Sequence, residues 1–150
     1  MNYGELLAAL GLETRLDLAE AARLGSCTIK FDSNLEVTLE AENQGEEQNT
    51  LQIYTTLGSA PANDRENFFA RLLQLHLFGF ATDNACFSYD PKLHQVLFFK
   101  TVPLSLLSQT EALVQVENFV NQAVRWQEFL PKLEASATNL HTSFGMTQTA

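Results

Sequence analysis

The chain has 150 residues, of which 45% are hydrophobic. This length and composition indicate one globular domain with a substantial core, and the chain is too short for two domains of typical size. Its formal net charge of −9, with nine basic against 18 acidic residues, disfavours nucleic acid and anionic membrane surfaces as partners. An acidic chain instead favours solubility or binding to a basic protein segment.

The N-terminal residues predict a short amphipathic helix that ends at Gly11, a typical C-terminal residue. Glu5 within this segment, with neither a basic leader nor a small-residue cleavage site, argues against a signal peptide. No apolar run approaches the roughly 20 residues that span a bilayer, so we expect no membrane insertion. Residues 12–24 fit either a second helical turn or an extended connector. The apolar residues at helical spacing are Tyr3, Leu6, Leu7 and Leu10.

Three strands are predicted next, because the apolar period changes from helical to alternating. Residues 26–31 and 35–40 alternate on either side of a polar turn at 32–34, which predicts a β-hairpin. Residues 51–57 alternate in the same way, and a Gly-Ser-Ala-Pro turn at 58–61 ends this third strand. One apolar and one polar face indicate an antiparallel sheet with one solvated side.

Residues 63–80 predict a helix with an unusually wide apolar surface. Asn63 is a suitable N-cap, and Glu66 three residues later completes a variant of the capping box. A helix that covers a single layer needs one apolar stripe, so two stripes indicate burial on two sides. The two sides are either the core of a monomer, or the chain's own sheet and a second copy. The first stripe is Phe68, Leu72 and Leu75, and the second is Phe69, Leu73, Leu77 and Phe80.

Two further strands are predicted at residues 86–89 and 95–102. A turn signal, Asp90-Pro91, separates them, and Pro103 ends the second strand because proline cannot donate to a ladder. The second strand carries apolar residues on both faces near Phe98, which places it centrally or at an interface.

A long C-terminal helix is predicted from Ser108 and Glu111, which form a capping box. Pro131 is expected to end or kink it. Residues 134–150 are rich in Ser, Thr and Asn with little periodicity, so we expect a flexible tail beyond a domain of residues 1–133.

The predicted order is helix, three strands, helix, two strands, helix, which is an α+β fold with helices packed on an antiparallel sheet. This order, the size and the acidity resemble class I type III secretion chaperones, the Tir chaperone family, over residues 1–133. No single motif carries the resemblance, which rests on the arrangement of apolar segments. Its other features are the opening helix, the strand at 27–31 followed by Asp32, the run at 72–79, the Pro103-Leu104 step and a long helix that reaches Trp126.

The resemblance implies a cytoplasmic bacterial homodimer that binds the N-terminal region of a secreted effector and holds it extended for export. The secretion-system ATPase is a further implied partner. Family members dimerise through the middle helix and the strand after it, and bind clients through apolar patches on the first helix and the sheet. The matching dimer residues are Phe68, Leu72, Leu75, Phe80, Phe87 and Tyr89, and the matching effector-binding residues are Tyr3, Leu6, Leu7, Leu10, Ile29 and Val37.

No catalytic or metal-binding pattern is present in the sequence, so we expect no catalytic residues, no metal and no cofactor. His76, His94 and His141 are far apart, and none lies in an HExxH or Cys/His zinc pattern. Cys27 and Cys86 lack a CxxC partner and an identifiable activating base, which favours reduced, buried thiols. A Gly-rich phosphate-binding loop is also absent from the sequence.

Two alternatives stay open at this point. A hot-dog acyl-CoA thioesterase also wraps a sheet around a central helix and dimerises, and Asp64 or Glu66 would supply its carboxylate. That fold places its main strands after the helix, whereas three of the five predicted strands precede it here. The second alternative is a dimeric adaptor that binds a folded rather than an extended protein.

Overall fold

The computed structural model describes the backbone of residues 1–31, 34–42 and 49–143, and the side chains of these as far as residue 133. It confirms the predicted α+β fold and adds a short second helix within the segment that the sequence left open. The described residues also include one-turn 3₁₀ helices at Leu77–Gly79 and Leu104–Leu106. The elements are α1 (Tyr3–Thr14), α2 (Ala19–Leu24), β1 (Ser26–Lys30), β2 (Glu36–Glu42), β3 (Thr50–Ser59), α3 (Arg65–Leu75), β4 (Cys86–Asp90), β5 (Gln95–Pro103) and α4 (Gln109–Ser143).

The five strands form one antiparallel sheet in the order β1-β2-β3-β5-β4, so β1 and β4 are its edges. The alternation read from the sequence fixes which residues face inward. Cys27 lies opposite Leu39 and Ile29 lies opposite Val37, and all four side chains are buried. These inward residues form a single core with the buried faces of α1 and α4.

Helix α1 begins with a capping box that the sequence analysis did not identify. The Asn2 side chain accepts a hydrogen bond from the Glu5 backbone N–H at 2.9 Å, and the Asn2 backbone N–H donates to the Glu5 carboxylate at 2.9 Å. The helix continues past the predicted end at Gly11 to Thr14. Gly11 instead lets the backbone of Leu16 approach the helix closely, because a Cβ at position 11 would lie 2.8 Å from the carbonyl oxygen of Leu16.

Helix α3 is shorter than predicted, and its N-terminus differs from the expected one. Asp64 rather than Asn63 is the N-cap, with left-handed backbone (φ 54°) and no side-chain capping bond, so the predicted pairing of Asn63 with Glu66 is wrong. The helix ends at Leu75, and the chain then turns sharply through Phe78.

Helix α4 begins with the predicted capping box. The Ser108 backbone N–H donates to Glu111 Oε2 at 2.8 Å, and the Glu111 N–H donates to Ser108 Oγ at 3.3 Å. The hydrogen bonds from Ser108 lower the pKa of the Glu111 carboxyl. The helix does not end at Pro131 but continues to Ser143, so the predicted domain boundary after residue 133 falls within a helix. The remainder of the predicted tail, residues 144–150, lies outside the described residues.

Candidate functional site

An apolar groove with a volume of about 560 Å³ lies between α1, β1 and α4. The groove forms because the inner face of β1 and the last buried turn of α1 meet one stripe of α4, where apolar residues recur three and four positions apart. Several of these side chains are only half-buried, so the apolar floor remains open to solvent. The apolar residues that line the groove are Leu10, Ile29, Phe31, Leu113, Val114, Val116 and Val120.

The groove opens along β1, which is an edge strand of the sheet. The Ala41 N–H donates to the Gly25 carbonyl at 2.8 Å, and the Phe31 N–H donates to the Leu35 carbonyl at 2.9 Å. Because bonded pairs alternate along an antiparallel ladder, the odd-numbered residues from 25 to 31 bond to β2. The even-numbered residues of β1, which are Ser26, Thr28 and Lys30, therefore direct their N–H and C=O groups towards the open edge.

The rim of the groove is acidic. Glu13 of α1 and Glu117 of α4 are exposed side chains that line it, and the other polar lining residues are neutral. The neutral polar residues are Thr14, Thr110 and Asn121.

A second exposed apolar surface, the aromatic patch, extends from the last turn of α3 into the turn after it. Its members are exposed by 66% at Leu73, 60% at Leu77, 78% at Phe78 and 89% at Phe80. Phe78 has left-handed backbone (φ 58°), which is rare for a bulky residue and directs its ring to within 6.2 Å of the Phe80 ring. Contiguous exposed apolar residues of this kind mark an interaction surface.

A recess of about 420 Å³ continues this apolar surface onto α4. Ala81, which follows the aromatic patch directly, lines the recess together with Trp126 and Phe129. The Gln122 Oε1 atom also lies here, buried and without a hydrogen-bond partner among the described residues.

The residues that were predicted for the dimer contact differ in their solvent exposure. Phe68 and Leu72 are only 1% and 5% exposed in the single chain, so they pack on the chain's own core, and their part in a dimer contact stays a prediction. Leu75, Phe87 and Tyr89 are half-buried, and Phe80 is exposed. Sequence analysis missed Phe78. The adjacent Gly79 marked a break in the helix, and the structure places both residues in one turn, with positive φ at each.

The residues predicted for effector binding also differ in location, since some lie in the core and others line the groove. The Tyr3, Leu6, Leu7 and Val37 side chains are buried in the core of the single chain, and their part in effector binding stays a prediction. The Tyr3 hydroxyl donates a hydrogen bond to the Leu39 carbonyl at 2.9 Å, which ties α1 to β2. The other two predicted residues, Leu10 and Ile29, line the groove.

The residues that the sequence analysis considered for catalysis form local hydrogen bonds or are buried. Asp64 accepts a hydrogen bond from Asn67 at 2.7 Å, and Tyr89 and His94 share a hydrogen bond of 2.8 Å. Burial raises the pKa of the Cys27 thiol, which disfavours the nucleophilic thiolate. In the described ranges, no three His, Cys, Asp or Glu side chains converge in a way that could hold a metal ion. Among the same residues, no helix is long and apolar enough to cross a membrane.

Comparisons with known proteins point to one family. The family model described as "Tir chaperone protein (CesT) family" matches residues 5–127. A search of curated proteins found no significant match. The fold is similar to a chain of the ExsC–ExsE complex, with a TM-score of 0.66 and 17% identity over 87% of this chain and 97% of that one.

Two other solved complexes contain chains of the same fold. A chain of the HopA1–SchA chaperone–effector complex matches with a TM-score of 0.52 and 16% identity, over 81% of this chain and 97% of that one. A chain of the ExoT–SpcS complex from Pseudomonas aeruginosa matches with a TM-score of 0.55 and 19% identity, over 81% and 93%.

Proposed function

The chain belongs to the Tir chaperone protein (CesT) family of type III secretion chaperones, and we propose that it keeps the N-terminal region of a secreted effector extended for export. The family is non-enzymatic, so the acyl-CoA thioesterase alternative is withdrawn. The proposal includes a cytoplasmic homodimer. It also includes delivery to the secretion-system ATPase, which follows from the family resemblance alone.

The free edge of β1 beside the apolar groove is the observation that carries this proposal. An extended client segment that pairs with Ser26, Thr28 and Lys30 would add a sixth strand through backbone hydrogen bonds. Alternate side chains of an added strand point to the same face, so every second client residue would enter the groove. Backbone pairing requires an extended client, and this distinguishes a chaperone from an adaptor that binds a folded partner.

The aromatic patch supports the homodimer. Phe78 and Phe80 together expose two large rings that contact little of their own chain, and the recess beside Trp126 continues this apolar area. A two-fold contact places the same patch on both subunits, so one self-complementary apolar surface is sufficient. A dimer would present two grooves, and a client that occupies both gains affinity because the second contact becomes intramolecular.

Strand addition can be tested by co-expressing the chaperone with effectors encoded at the same locus and measuring co-purification by size exclusion. Proline at position 28 removes an N–H that faces the open edge and breaks no hydrogen bond to β2, so Thr28→Pro should fold yet capture less effector. Thr28→Ala is the matched control, because it also loses the 2.9 Å bond to Thr38 but keeps the N–H.

Equal capture by the proline and alanine variants would rule out pairing at β1. Limited proteolysis of the bound effector separates the adaptor alternative. An extended client is cleaved at many sites outside the segment that the chaperone protects, whereas a folded partner resists cleavage as a unit.

A further inference from the structure

The two carboxylates on the groove rim come from different helices, Glu13 from α1 and Glu117 from α4. Both are exposed, and neither forms an ion pair or hydrogen bond with another residue that the structure describes. No lysine or arginine among the described residues lines the groove to offset them. An apolar floor between two unpaired negative charges is therefore the feature that an occupant must match.

We propose that the groove selects client segments in which apolar residues alternate with lysine or arginine. This inference rests on the proposed function, since it names the chemistry of the segment that the groove receives. Lysine and arginine suit this position because their aliphatic stems can lie on apolar surface while their charged ends reach a carboxylate at the rim. A client segment with aspartate or glutamate at the same positions would be repelled by both walls.

The length of the groove sets the length of the segment. The α4 wall from Thr110 to Asn121 rises roughly 16 Å. An extended chain covers about 3.3 Å per residue, so roughly five residues fit along this wall. Two or three of these residues face the floor, and the side chains between them point away from it. A lysine or arginine at those positions is long enough to reach back to Glu13 or Glu117 at the rim.

Fluorescence anisotropy with three labelled ten-residue peptides tests the inference on the full-length chaperone. In each peptide every second residue is leucine or valine. The positions between them hold lysine and threonine in the first peptide, serine and threonine in the second, and glutamate and threonine in the third. We expect affinity to fall in that order, and the differences to shrink in high salt because exposed ion pairs are screened.

Variants separate the rim charges from the acidity of the whole protein. Glu13→Gln and Glu117→Gln should each reduce the preference for the lysine peptide over the serine peptide by about two- to five-fold. Glu128→Gln is the matched control, since Glu128 is an exposed carboxylate on α4 outside the groove, and it should leave the preference unchanged.

Equal affinities for the three peptides would overturn the inference, as would an equal loss in the Glu128→Gln variant, because net charge alone would then explain the preference. A peptide set that does not bind at all would also overturn it. Effector co-purification is measured separately. Continued capture of effector in any of these cases shows that the proposed function stands while the charge preference fails.

Discussion

Phe80 provides the sharpest test of the proposed dimer. Its side chain is 89% exposed in the single chain, so Phe80→Ala removes few contacts within the subunit and should leave its fold intact. If the aromatic patch is the contact between two copies, the same change removes a buried ring from the dimer. The variant therefore separates assembly from folding.

The expected size of the effect of Phe80→Ala follows from the area that remains to be buried. Full burial of a phenylalanine contributes about 1.5–3 kcal/mol, and a two-fold interface contains the residue twice. Truncation at Phe80 should thus weaken the dimer by about 3–6 kcal/mol. At 1.4 kcal/mol per factor of ten, the dimer Kd rises roughly 100- to 20,000-fold.

Sedimentation velocity over a range of protein concentrations measures the dimer Kd of the wild-type protein and the Phe80→Ala variant, with circular dichroism to confirm that the variant is folded. Leu12→Ala is the control, since Leu12 is a similarly exposed apolar residue (81%) on α1, outside the patch. An unchanged Kd in Phe80→Ala, or an equal rise in Leu12→Ala, would refute the assignment of the patch.

Three further predictions concern stability. Leu72→Glu should lower the free energy of unfolding by several kcal/mol in urea titrations, because it places a carboxylate in the core. Leu73→Glu should leave that free energy nearly unchanged and weaken the dimer. The reverse result would show that the two stripes of α3 are misassigned. Gly11→Ala should lower the free energy of unfolding by about 1–3 kcal/mol, because the added Cβ would lie 2.8 Å from a carbonyl oxygen, and an unchanged thermal midpoint would contradict this. Burial raises the pKa values of the Cys27 thiol and the Tyr3 hydroxyl. The neutral forms of both groups therefore contribute their full stabilisation of the fold below the ordinary pKa values, and this contribution is lost as pH rises through the folded-state values. Urea midpoints should fall above about pH 8.5, and the fall should be less steep in Cys27→Ala.

Sequence periodicity predicted the sheet well, because a period of two fixes both the strands and the face that each residue occupies. Residues 26–31 and 35–40 correspond to the observed β1 and β2, and the inward positions are the buried ones. The capping box at Ser108 was also predicted, because it depends only on the types of two residues three positions apart in the chain.

The surfaces could not be predicted in the same way, because exposure depends on which elements pack together. The apolar residues of α1 looked equally suited to a core or to a binding surface, and only the packing of α1 against the sheet buries Tyr3. Both stripes of α3 were recognised, but which stripe faces the core is set by tertiary contacts. Proline at position 131 was expected to end or kink the helix, and α4 continues through it to Ser143.

The rim of the groove was missed for a related reason. Glu13 and Glu117 are far apart in sequence and on different helices, and they line one groove because α1 packs against α4. The open edge of β1 likewise depends on strand order, which local alternation does not determine.

Residue-resolved amide hydrogen exchange, with and without bound effector, tests the central claim most directly. In the free protein the N–H groups of Cys27 and Ile29 are bonded to β2, while those of Ser26, Thr28 and Lys30 face the open edge. If a client adds a strand to β1, the N–H groups of Ser26, Thr28 and Lys30 should become protected on binding. Effector binding that leaves the exchange of these three amides unchanged would contradict the account.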